Sequence, residues 1–175
     1  MEYQELISKA EEMYSVNPDH ISFIQPSNIF SSGGYWMKRK MNSITPESER
    51  PETSKDFNCY GYIKYGISLL ISALVLLLLW NLTPIAFSLS VLTFYIIEVH
   101  FVFLFPIVIE GRKDPFLKGS KMVYQIGFFK CLFLTIRIAS YMIYGLFNLK
   151  NPTSKWYIGC LAIVIWYLDE VRVRS

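Results

Sequence analysis

Polar and apolar positions divide this chain into two unlike parts. From residue 62 onward, runs of Ile, Leu, Val and Phe dominate, interrupted at Trp80-Asn81-Leu82-Thr83-Pro84. Residues 62–82 are long enough to cross about 30 Å of hydrocarbon as one helix. Residues 84–109 form a second such segment, with Pro84 tolerated in its first turn. Almost no polar loop separates the two, so they read as a tight antiparallel hairpin. A third apolar segment covers 122–147 and a fourth covers 156–170. The fourth is short for a span and carries Trp156-Tyr157 and Trp166-Tyr167 as interfacial anchors. The expected fold class is all-α, a polytopic membrane protein of about four transmembrane helices.

Residues 1–60 follow a different pattern. Tyr3, Leu6, Ile7, Ala10, Met13 and Tyr14 recur at helical spacing and predict an amphipathic helix over 2–16, stopped by Asn17-Pro18. No early apolar run marks a signal peptide. The polar face of this helix holds Glu2, Glu5, Lys9, Glu11 and Glu12, which an anionic lipid surface repels. Its apolar stripe is therefore expected to pack on protein, either residues 20–40 of the same chain or a partner. A basic cluster, Lys38-Arg39-Lys40, follows Tyr35-Trp36, and residues 42–56 have the Pro, Glu, Ser and Thr content of a disordered linker. The organisation predicted is a cytosolic region over 1–60 and a four-helix membrane domain over 61–175.

Composition sharpens this picture in two respects. The 175 residues are 53% hydrophobic, 17% aromatic and 18% charged, a balance foreign to a single soluble domain. The net charge of +3 gathers at the ends of apolar segments, so it reports topology and not nucleic-acid binding. Arg112, Lys113, Lys118 and Lys121 lie between the second and third segments, and Arg172 and Arg174 follow the fourth. Counting basic residues places loop 110–121 and both termini in the cytosol of a multi-pass integral membrane protein. Cys59, Cys131 and Cys160 have no metal-ligand spacing, so no metal and no cofactor is expected.

Candidate chemistry lies in the ionisable residues of the apolar segments, which cost roughly 2.5–3.5 kcal/mol each on insertion scales and face partners or water. Glu98 and His100 point about 160° apart around a helix, which argues against their working as a pair. Pro106 kinks the same segment and frees the carbonyl near Val102. Lys130, Arg137 and Tyr144 are seven apart, and Tyr141 shares their face. Depth counting predicts a Glu98–Arg137 ion pair, with Lys130 reaching toward the interface or toward Asp169 and Glu170.

Two readings of these charges compete. In one they form an internal network that fixes helix register, with His100 a hydrogen-bonded structural residue. In the other Glu98, His100, Lys130, Arg137, Tyr141 and Tyr144 hold an anionic amphiphile or relay protons. The chain has no H-E-x-x-H, G-x-S-x-G or Walker motif. The function expected is that of a non-catalytic subunit or interaction partner of a membrane complex, in contact with lipids and with a protein partner or a second copy. The alternatives are a carrier or lipid-handling protein, and a small intramembrane lipid-modifying enzyme with His100 or Glu98 as base.

Overall fold

The computed structural model describes residues 2–16, 18, 29–46, 56–148 and 151–174. Most of the segment read as a linker, and residues 20–28, lie outside these. The described residues form an all-helical structure without strands: α1 (Tyr3–Val16), α2 (Ile29–Ile44), α3 (Phe57–Leu78), α4 (Thr83–His100), α5 (Leu104–Ile109), α6 (Pro115–Ile126), α7 (Phe128–Leu146) and α8 (Ser154–Trp166). α2 carries Lys38-Arg39-Lys40 within it and runs on to Ile44, so the first residues assigned to the linker are helical.

The hairpin of α3 and α4 follows from its small polar residues. α3 starts where Asp56 accepts a hydrogen bond from the Asn58 amide at 2.9 Å. A single 3-10 turn, Trp80–Leu82, then reverses the chain into Pro84. Between the helices, Ser68 donates to the Lys64 carbonyl at 3.0 Å and Ser72 to the Ser68 carbonyl at 2.7 Å. Ser90 of α4 crosses over to the Ser72 carbonyl at 2.8 Å. Each hydroxyl is satisfied by backbone, so small side chains let the helices approach without a buried orphan. From Leu69 to Leu92 the buried side chains among those described are Ser72, Ala86 and Ser90. The rest of this distal half turns Leu, Ile, Val and Phe outward.

The other elements form a body at the proximal end of the hairpin. α8 is its centre. Tyr157, Ile158, Leu161, Ala162, Val164, Ile165 and Trp166 are all buried, which makes α8 apolar around its whole circumference. With 13 residues, α8 extends about 20 Å. The chain continues helically beyond it through a π-helical turn, Tyr167–Val171. Among the described residues three helical stretches are long and apolar enough to cross a membrane: Phe57–Leu78, Pro84–Ile109 and Phe128–Leu146.

α1 buries Leu6, Ile7, Ala10 and Tyr14 and, among the described elements, packs chiefly on α8. Tyr14 stacks near Tyr157, with ring centroids 6.1 Å apart. Lys9 bonds to Asp169 and Tyr141 to Glu11, the latter at 2.6 Å.

Two breaks have plain local causes. Pro106 has no amide hydrogen to offer the carbonyl four residues back, and its ring crowds that carbonyl. The chain upstream tightens into i→i−3 bonds, Phe101 to Glu98, Val102 to Val99 and Leu104 to Phe101, which separate α4 from α5. The kink expected there is present. The second break was not anticipated. Gly127 takes φ +114°, a region that side chains avoid, and splits the segment read as 122–147. The lysine-bearing stretch before it, Pro115–Ile126, is a helix of its own, and α7 begins only at Phe128.

Candidate functional site

α3 buries Gly61, Lys64, Ser68 and Ser72, a stripe spaced three and four residues apart. This stripe places a lysine side chain inside the protein. Its ammonium lies 2.7 Å from Glu98 Oε1 of α4, and the two side chains are only 7% and 12% exposed. The same nitrogen sits 5.0 Å from the Tyr65 ring centroid and 5.8 Å from that of Phe105. Two desolvated charges at this distance, backed by aromatic faces, compensate each other's burial.

Glu98 therefore does not pair with Arg137, as depth counting had predicted. α7 turns Thr135, Ile138, Ala139 and Met142 toward the interior and presents Arg137 on the opposite side, over the Tyr3 ring at 5.8 Å. Burial raises the Tyr3 phenol above its ordinary range, opposed by the Arg137 guanidinium and assisted by Glu11.

The shared face of α7 does exist. Lys130, Arg137, Tyr141 and Tyr144 line one open groove with Glu2, Tyr3 and Gln4 of the N-terminal segment. Within it Lys130 bonds to Glu170, one of the two carboxylates named for it. Tyr141 and Tyr144 flank the Lys155 ammonium at 5.0 and 4.6 Å.

Glu98 and His100 lie elsewhere. His100 points away from Glu98, as helical geometry requires, with Nδ1 2.8 Å from the Ile96 carbonyl. A carbonyl only accepts, so Nδ1 carries the proton and Nε2, 3.2 Å away, takes the Tyr124 hydroxyl. The six predicted residues thus separate into a groove set, a histidine at the helix break, and a glutamate facing inward.

The inward set borders a cavity of about 560 Å³ between α2, α3, α4, α7 and α8. Its wall is overwhelmingly apolar, with Trp36, Phe94, Phe105 and Trp156 among the larger side chains. Lys64 and Glu98 are the charged residues in it. The size falls within the roughly 300–1,000 Å³ of small-molecule sites. Ile143 and Leu146, both about half exposed, belong to the lining and mark where it opens through an apolar surface. Two oxygens in the wall have no hydrogen-bond partner: Glu98 Oε2 and Thr135 Oγ1. Gly33 also contributes to the lining, and a Cβ built on it meets nothing within 4 Å.

Sequence reasoning missed Lys64, Thr135 and this cavity. The periodicity that groups Gly61, Ser68 and Ser72 into a small-residue face also contains Lys64, and a lysine among small residues is the signal that was there to be used. Among the described residues no group of three His, Cys, Asp or Glu side chains converges as a metal site. No protein family, curated protein or solved structure matches the chain.

Proposed function

We propose that this protein is anchored in a membrane by the α3–α4 hairpin and holds one small apolar or amphiphilic molecule in the cavity of its helical body. The observation that carries the reading is the cavity itself: apolar walls, a buried Lys64–Glu98 pair, and a mouth edged by exposed Ile143 and Leu146. Such a mouth favours a ligand that arrives from lipid. The distal hairpin, whose described side chains are mostly exposed, is the element best suited to hydrocarbon. Its connection lies far from the body, and α3 enters and α5 leaves on the same side. The basic residues of α6 and its preceding loop favour a cytosolic side for this end of the hairpin and for both termini.

A second reading, a non-catalytic subunit of a membrane complex, is favoured by the outward-facing Leu69, Leu70, Leu74, Leu77 and Leu78 of the hairpin. The α1 stripe no longer bears on it, because α8 of the same chain covers that stripe.

Native mass spectrometry of the protein, extracted gently from its source membrane, separates the two. The ligand reading expects a stoichiometric small-molecule adduct that disappears in Gly33→Phe, a bulky side chain placed on the cavity lining where a Cβ meets nothing within 4 Å. A second polypeptide with no small molecule supports the subunit reading. An adduct unchanged by Gly33→Phe removes the cavity from the argument.

A further inference from the structure

The polar atoms of the cavity specify a head group, an inference that rests on the ligand-binding reading above. We infer that the ligand is a neutral long-chain alcohol whose hydroxyl donates to Glu98 Oε2 and accepts from Thr135 Oγ1.

Charge balance comes first. Lys64 and Glu98 neutralise each other within 2.7 Å, and no other ionisable cation or anion among the described residues shares the wall. A carboxylate or phosphate head finds no spare cation there, and would have to draw Lys64 away from Glu98. An ammonium head sets two cations against one carboxylate. In an apolar enclosure either arrangement leaves an uncompensated charge, which is far costlier than any neutral head group.

Hydrogen-bond balance comes second. Glu98 is about nine-tenths buried, and its Oε2 has no partner; an ionised carboxylate oxygen only accepts, so it calls for a donor. Thr135 is as deeply buried, and its Oγ1 is likewise unpartnered, free to donate or accept. Alkanes, esters and ethers supply no donor. A hydroxyl is the smallest uncharged group that gives one hydrogen bond and takes another. Glu98 and Thr135 both line the cavity with these oxygens closed off from solvent, so binding requires a side-chain torsion to turn in each. The exposed Ile143 and Leu146 at the mouth suit a chain that enters from the bilayer with its hydroxyl leading.

Tryptophan quenching tests this with the full chain in phosphatidylcholine vesicles. Trp36 and Trp156 line the cavity, whereas Trp80 is exposed at the hairpin turn and is removed by Trp80→Phe to silence quenching from the bilayer. Three probes share one mid-chain-dibrominated C18 chain: the alcohol, its methyl ether, and the corresponding carboxylic acid at a pH where it is ionised. The alcohol is expected to saturate quenching at a concentration at least about tenfold below the ether, the scale of one charge-assisted hydrogen bond. In Lys64→Met/Glu98→Leu, which keeps the wall neutral, that preference is expected to fall to about one while the ether still quenches. Thr135→Val is expected to weaken the alcohol and the ether alike, severalfold, and to leave the preference between them in place. Equal saturation by alcohol and ether in the parent overturns the hydroxyl inference and leaves the cavity a ligand site. Tightest saturation by the acid overturns it in favour of an anionic amphiphile. If no probe saturates and Gly33→Phe behaves like the parent, the ligand-binding reading itself fails.

Discussion

Replacing Lys64 by Met isolates the energetic role of the buried pair. The substitution keeps most of the side-chain volume and removes the ammonium, leaving Glu98 buried with neither carboxylate oxygen satisfied by a cation. Glu98 Oε2 already has no partner, so nothing in the wall stands ready to compensate for the loss at Oε1. Breaking a buried ion pair on one side costs about 3–5 kcal/mol, because a charge remains without compensation. For a chain of this size that corresponds to a fall in Tm of roughly 6–20 °C, readable by thermal unfolding in mild detergent. The double variant Lys64→Met/Glu98→Leu removes both charges and fills the space with apolar atoms, so it is expected to lie within about 1 kcal/mol of the parent or above it. The cycle is therefore strongly non-additive, with a coupling of several kcal/mol. A Lys64→Met protein that loses less than about 1 kcal/mol, or a double variant equal to the sum of its singles, refutes the pairing. The same cycle built on Arg137→Leu and Glu98→Leu should show no coupling, since Arg137 lies on the far side of α7.

Seven further substitutions probe separate parts of the structure. A Cβ on Gly34 or Gly61 comes within 2.3 or 2.2 Å of the Phe57 or Phe30 ring, so Gly34→Ala and Gly61→Ala should each cost about 1–3 kcal/mol by forcing α2 off α3. Gly66, with nothing within 4 Å, should accept Ala at no cost or gain up to about 1 kcal/mol of helix propensity in the same melts. Leu6→Ala, at a fully buried position of α1, should cost about 2–5 kcal/mol. Lys9→Ala, which breaks a half-exposed pair with Asp169, should stay below about 1 kcal/mol and lose even that at high salt. His100→Gln should cost about 1 kcal/mol and leave the quenching titrations unchanged; loss of probe binding there would reinstate His100 as a ligand-site residue. Thr135→Val removes a buried unsatisfied hydroxyl with little change in shape, and should raise stability by about 1–3 kcal/mol in the absence of added alcohol.

The hairpin was legible because its determinants are local. Pro84 starts a helix, no polar loop precedes it, and Ser68, Ser72 and Ser90 are small enough to let two helices meet. The kink at Pro106 was legible for the same reason. α8 was less legible because a run of Ile, Leu, Val and Trp is equally at home in lipid and in a protein core, and the packing of α1, α2 and α7 around it is not written in its own residues. Arg137 and Glu98 misled in a different way. Depth along a helix can be counted from sequence, but rotation about its axis is set by neighbours. Here Thr135, Ile138 and Met142 face the interior and carry Arg137 outward. Lys64 was the avoidable omission: its apolar surroundings hide it from a hydropathy average, yet its spacing from Gly61 and Ser68 puts it on the buried face.

What the register reading explains, and what it leaves over, can be separated atom by atom. An ion pair that only fixes how α3 meets α4 requires Lys64 Nζ and Glu98 Oε1, and it is best served by walls closed tightly around them. This body instead keeps about 560 Å³ beside the pair, with a glycine and an alanine in the lining where larger side chains would close it. It also keeps an unsatisfied oxygen on each of Glu98 and Thr135. Empty volume and orphaned acceptors both lower stability. Gly33 could be enlarged and Thr135 replaced by Val without touching the ion pair at all. A bundle selected for register alone has no use for these costs, whereas a bundle that closes around a hydroxyl-bearing chain recovers both when the ligand binds. Stability and binding should therefore move in opposite directions at Thr135 and Gly33, and together at Lys64, where loss of the pair weakens the walls that both depend on.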